Sequence, residues 1–137
     1  MRVFLDTNVL VSAFATRGLC ADLFELVLLK HELILGPHVI RELTKALRQK
    51  VKLPPQNADT IVDFLVGEAA QFVGSSPPIS AAVDADDAII LSEATGGNAE
   101  VFVTGDAKVL KLRQLGRMRI VLPRAFWEML QSEKPRH

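Results

Sequence analysis

The sequence predicts a three-layer α/β/α fold with a central parallel sheet of four to five strands, and three observations carry that prediction. Short apolar runs (Val3-Phe4-Leu5, Leu33-Ile34-Leu35, Val101-Phe102-Val103 and Ile120-Val121-Leu122) have the continuous hydrophobicity of strands covered on both faces. Stretches of helical periodicity lie between them, so strands and helices alternate. The connections are short, as in parallel units closed by helical crossovers.

Taken in order, Val3 to Leu5 forms the first strand and Val9 to Ala15 a short helix. Leu19 to Lys30 is apolar nearly all round, which predicts a helix covered on several sides. Glu32 to Gly36 is the second strand, and Pro37 starts a helix to Lys50, since proline loses nothing at the first helical position. Asp59 to Gln71 reads as a helix with Ile61, Phe64, Leu65 and Ala69 inward, followed by a weak strand at Phe72-Val73. Gly74-Ser75-Ser76-Pro77-Pro78 is the most loop-like segment, yet too short for a domain linker. A helix from Asp86 ends at Gly96-Gly97, a C-terminal stop signal. Val101 to Thr104 is the fourth strand, Asp106 opens a short helix to Leu112, Ile120 to Leu122 is the fifth strand, and Pro123 starts the last helix. There is no internal repeat and no low-complexity block.

With 137 residues, 49% of them hydrophobic, the chain is long enough for one well-buried core and too short for two. The expectation is a single domain over residues 1–130 and a flexible C-terminal tail over 131–137. The 16 basic and 16 acidic residues cancel, so polyanion binding has to come from local patches rather than a global field. Cys20 stands alone, which excludes an internal disulfide and suits a small packing residue in a reducing compartment. No signal peptide and no stretch near the ~20 apolar residues of a membrane span are read, so a cytoplasmic protein is expected.

Two strands end in the same way. Val3-Phe4-Leu5 stops at Asp6-Thr7-Asn8, and Val101-Phe102-Val103 stops at Thr104-Gly105-Asp106. In open α/β sheets ligands bind beyond the carboxyl ends of the strands, which puts Asp6 and Asp106 at one edge. A capping aspartate explains one such acid at a helix start, but not several together. Asp87 adds another, because at 100° per residue it lies on the face of Ile90, Leu91 and Ala94 that packs on the sheet. Asp84, Asp86 and Asp87, crowded near two further aspartates, repel one another and call for a neutralising cation. Glu42 sits at the border of its helix's apolar stripe, and periodicity alone reads it as solvent-facing. His31, His38 and His137 are scattered without ligand spacing, and Ser12 lacks partners for nucleophilic catalysis. Phe126 and Trp127 read as core or a subunit contact.

Asp6-Thr7-Asn8 after the opening strand, Glu42 within Val39-Ile40-Arg41-Glu42-Leu43, the cluster Asp84-Ala85-Asp86-Asp87 at a helix start, and Thr104-Gly105-Asp106 after a strand together resemble the PIN domain family. The nearest branch is the toxin component of prokaryotic toxin–antitoxin systems. The resemblance implies a metal-dependent ribonuclease that cleaves single-stranded RNA, with a cognate antitoxin and a homodimer as partners. Asp6, Glu42, Asp87 and Asp106 take the acidic catalytic and metal-binding positions, Asp84 or Asp86 is an auxiliary, and Asn8 and Thr104 are orienting groups. Gly96-Gly97-Asn98 departs from the family as extra length, expected to fall harmlessly in a loop.

Hard oxygen ligands without histidine or cysteine select Mg²⁺ or Mn²⁺ over zinc. Converging carboxylates without a cation raise one another's pKa values. Lys108, Lys111, Arg113, Arg117, Arg119 and Arg124 form an acid-free run beside Asp106, and Arg41, Lys45, Arg48, Lys50 and Lys52 a second near Glu42, so both are candidates for phosphate contacts. Low aromatic content and no tyrosine make base stacking a poor source of specificity. Two other readings compete. One is a PIN-like module that binds RNA or protein without cutting. The other is a receiver- or phosphatase-like fold in which Asp6 is phosphorylated and Thr104 and Lys108 contact phosphate, but it leaves Glu42 unused and lacks an Asp-x-Asp motif.

Overall fold

The computed structural model describes residues 1–74 and 83–132. Residues 75–78 of the expected loop at 74–78 and residues 133–137 of the expected tail at 131–137 lie outside the described residues. Strands β1 (Arg2–Leu5), β2 (Glu32–Leu35), β3 (Gln71–Phe72), β4 (Val101–Val103), β5 (Gln114–Leu115) and β6 (Met118–Val121) form one sheet in the order β3-β2-β1-β4-β6-β5. All pairings are parallel except β5 with β6. Helices α1 (Thr7–Ala15), α2 (Leu19–Lys30), α3 (Pro37–Gln49), α4 (Pro55–Glu68), α5 (Ala85–Gly96), α6 (Ala107–Leu110) and α7 (Pro123–Ser132) complete the α/β arrangement.

The sheet runs sequentially outward from β1 to β3 and then reverses to β4, so the topological switch lies between β1 and β4. Their adjoining carboxyl ends open the crevice where such sheets bind ligands. The core fills in from the same apolar runs: Val3, Phe4, Leu5, Ile34, Leu35, Leu43, Leu47, Leu91 and Val103 are fully shielded, and Phe4 stacks on Phe102 with ring centroids 5.4 Å apart. Among the described residues no helix is long and apolar enough to cross a membrane.

Several elements differ from the sequence reading for identifiable reasons. The sixth strand, β5, was not expected. Leu115 pairs with Met118 and leaves Gly116-Arg117 as a two-residue hairpin turn, with Gly116 at φ +59°, a conformation that favours glycine. Helix α4 starts earlier, at Pro55, and ends at Glu68; in that phase Ala58 and Leu65 are buried while Phe64 is left 46% exposed. Helix α2 is covered on several sides, by α1, β2 and α7, with Leu23, Phe24 and Val27 buried and Leu19, Leu26 and Leu28 partly so, but it leaves Leu29 72% exposed. Gln131 and Ser132 continue α7 rather than opening the tail, and Phe126 is core.

The extra glycine segment is not a free loop. A Cβ at Gly97 would run into Ile34, and the Gly97 carbonyl accepts from Arg2 Nε at 3.0 Å and Nη2 at 2.7 Å. Arg2 also bonds Gln71 and pairs with Glu32, tying β1, β2 and β3 to the end of α5.

Candidate active site

Asp6 follows β1 directly. Its N–H continues the ladder to Val103 O at 2.9 Å, after which its carbonyl accepts from Val9 and Leu10 and its Oδ1 accepts from Thr7 N at 2.8 Å. The carboxylate therefore caps α1 and faces the crevice at once. Thr104, fully buried after β4, joins the two strand ends: its hydroxyl donates to Asp6 Oδ2 at 2.7 Å and accepts from Asp106 N at 3.0 Å. Asn8 clamps the same junction, accepting from Gly105 N at 3.0 Å, with Nδ2 3.4 Å from Asp6 Oδ2. Asp106 caps α6 by accepting from Lys108 N at 2.8 Å.

Glu42 reaches this edge from α3. Its Oε1 accepts from Thr7 Oγ1 at 3.0 Å, so the glutamate that periodicity alone turns to solvent is held by the residue next to Asp6. From α5, Asp87 comes within electrostatic reach of Asp106, Asp6, Asp84 and Glu42. The other two acids of its cluster point elsewhere. Asp84 Oδ2 lies 3.8 Å from Lys108 Nζ, and Asp86 Oδ1 lies 3.2 Å from His38 Nε2.

The sequence pattern of the PIN domain matches residues 2–108. The chain belongs to the PIN domain family. Members of that family are nucleases and generally work with a divalent metal ion, which sets the receiver-like reading aside. Among solved structures, a chain of VapBC2 from Rickettsia felis, bound to a DNA fragment from the promoter, superposes with a TM-score of 0.63 at 15% identity, covering 89% of this chain and 98% of that one. At that identity the likeness speaks to the fold. No curated protein matches the chain.

The electrostatics of this PIN domain fit a cation. Asp6 is only 5% exposed, and burial pushes its pKa up, with Glu42 and Asp106 adding to the rise and the Thr104 and Thr7 bonds opposing it. Asp87 is raised to about 6, first by burial and then by the charges of Asp106, Asp6, Asp84 and Glu42. Among the described residues no lysine or arginine pairs with Asp6, Glu42, Asp87 or Asp106. An all-carboxylate set with uncompensated charge suits a hard divalent ion.

The sign of this effect gives a testable outcome. A carboxyl group whose folded value is raised stabilises the fold fully below its unfolded value, near 3.8, and that stability is lost as pH rises through about 6. Solvent screening of the partly exposed Asp87 reduces the effect to about 1 kcal/mol. Chelator-treated wild type is therefore expected to lose roughly 3 °C more in melting temperature than Asp87→Asn between about pH 4 and about pH 7. Parallel melting curves for the two proteins across that range would refute it.

The basic residues divide by position. Arg41, Lys45 and Lys50 line a groove of about 450 Å³ with Thr7, His38, Glu42 and Asp86, so this patch adjoins the acids. Lys108 and Lys111 border a second depression with Asp84. Arg48 is engaged by Asp59 at 2.7 Å. Arg117 and Arg119 lie away from Asp106, contrary to the sequence reading. Arg119 is in register with Val101 at the start of β4, and both arginines share a pocket with Met1, His31 and Glu100 at the amino edge of the sheet. The run is continuous in sequence, but the chain crosses the sheet between Asp106 and Met118.

Two residues escaped sequence reasoning. Glu93, 1% exposed, accepts from His38 N at 2.6 Å and Val39 N at 3.1 Å, capping α3 from α5. A Cβ at Gly36 would collide with that carboxylate, so the glycine admits it. The signal available was the start of α3, where Gly36-Pro37 offers no capping side chain of its own. His38, read as a scattered histidine, touches both Glu42 and Asp86. Its i,i+4 spacing to Glu42 was visible in the sequence.

Proposed function

We propose that the protein is an endoribonuclease dependent on Mg²⁺ or Mn²⁺, with single-stranded RNA as substrate, acting as the toxin of a toxin–antitoxin pair. The observation that carries this reading is the convergence of Asp6, Glu42, Asp87 and Asp106 from four elements onto one sheet edge, where among the described residues no lysine or arginine pairs with them. These carboxylates would hold the ion, Asp6 in the orientation fixed by Thr104, Thr7 N–H and Asn8. When bound, the ion supplies an activated water and charge stabilisation for phosphodiester displacement. Thr104 keeps Asp6 and Asp106 in fixed relation, and Asn8 holds the Gly105 turn against them. Arg41, Lys45 and Lys50, along the groove that reaches Glu42, grip the backbone phosphates. A partner antitoxin follows the likeness to a chain of the VapBC2 complex, and a homodimer is proposed with it.

The test is cleavage of single-stranded RNA, duplex RNA and single-stranded DNA by chelator-treated protein with and without Mn²⁺. Mn²⁺-restored cutting of the RNA strand supports the proposal. Metal binding without cleavage of any substrate would favour a silent binding module. Lys45→Ala is expected to raise KM several-fold and to lower the salt slope of RNA binding by about one, with kcat little changed. An unchanged slope would remove Lys45 from the RNA path.

A further inference from the structure

We propose that His38, Glu42 and Asp86 form a separate binding site for a zinc-class transition metal ion, and that its occupation withdraws Glu42 from the nuclease centre and inhibits cleavage. His38 and Glu42 stand one turn apart on α3, and Asp86 reaches them from the first turn of α5. One donor atom from each of the three lies within 4.8 Å of the others. His38 Nε2 is 3.5 Å from Glu42 Oε2 and 3.2 Å from Asp86 Oδ1. Zinc bonds of about 2.0 to 2.1 Å in a tetrahedron place neighbouring donors about 3.3 Å apart, so the two separations already match tetrahedral edges. An imidazole with two carboxylates suits Zn²⁺ far better than Mg²⁺, which favours oxygen alone. The fourth position is left to water from the groove these residues line.

One contact opposes the ion. The other ring nitrogen of His38, Nδ1, accepts from Arg41 Nη2 at 3.2 Å, which leaves the proton of the neutral ring on Nε2. Coordination through Nε2 transfers that proton to Nδ1 and displaces the guanidinium. Arg41 thus competes with the metal, both by tautomer and by charge.

The inhibitory half of the proposal rests on the role of Glu42 in the nuclease reading, whereas the binding half does not. The experiment is calorimetric titration of the purified, chelator-treated chain with Zn²⁺ alone, followed by Zn²⁺ titration into the Mg²⁺-supported cleavage assay. Wild type is expected to take one Zn²⁺. The affinity falls about tenfold or more in His38→Gln and Asp86→Asn and rises several-fold in Arg41→Ala. Whatever cleavage His38→Gln retains should resist zinc concentrations that silence wild type. Zinc affinity unchanged in His38→Gln, or abolished only by Asp6→Asn, would place the ion among the nuclease acids and overturn the site. Absence of cleavage with either Mg²⁺ or Mn²⁺ would defeat the nuclease reading alone, since the calorimetry still decides the binding.

Discussion

Asp6→Asn or Asp106→Asn is expected to lower Mn²⁺-supported cleavage of single-stranded RNA by roughly a thousandfold, equivalent to several kcal/mol of transition-state stabilisation. The fold should survive both changes. Asparagine caps helices as well as aspartate does, and both side chains serve as caps, of α1 and α6. At position 6 the neutral amide also removes a buried charge whose pKa is already raised by desolvation. The metal-free variant should therefore melt no lower than wild type, which separates lost chemistry from lost structure. Equal cleavage by wild type and both variants would identify a contaminating nuclease and leave the site without support.

The second large effect is expected at Glu93. Glu93→Ala strands two backbone N–H groups, those of His38 and Val39, in the interior and is expected to cost about 3 kcal/mol of stability in denaturant unfolding. Glu93→Gln keeps one acceptor oxygen but turns an amide donor toward a donor, and should cost about half as much. Because α3 carries Glu42 and α5 carries Asp87, Glu93 is also a positioning residue for the site. Under conditions where Glu93→Gln stays folded, its Mn²⁺ affinity should fall several-fold while that of Gly67→Ala, a change facing open space, does not. A loss of less than about 0.5 kcal/mol in Glu93→Ala would show that the cap is dispensable.

What the sequence made legible is what strand ends announce. Asp6 and Thr104-Gly105-Asp106 each follow an uninterrupted apolar run, so the edge they share can be read from hydrophobicity and one rule about parallel sheets. Asp87 needed the helical period as well. Glu42 was legible only by family likeness, because the bond that turns it inward comes from Thr7, far away in the chain. Glu93 was invisible for a related reason. A glutamate between Ser92 and Ala94 looks like an exposed interruption until the amides it caps are brought to it by another helix. Arg117 and Arg119 follow Asp106 closely in sequence, but the hairpin of β5 and β6 carries them to the opposite edge of the sheet. The local signal for that hairpin, a glycine at its first turn position, is short and easily overlooked.

The sheet ends at both edges in strands of two residues, β3 and β5. So little unpaired backbone offers a foreign strand almost no ladder to extend, and the edges give little purchase for aggregation by strand addition. For the described residues, stable association with a copy of this chain or with a different protein is therefore expected to use side chains on helices and loops rather than strand addition at β3 or β5. Its specificity should then follow surface residues and tolerate changes in the strands.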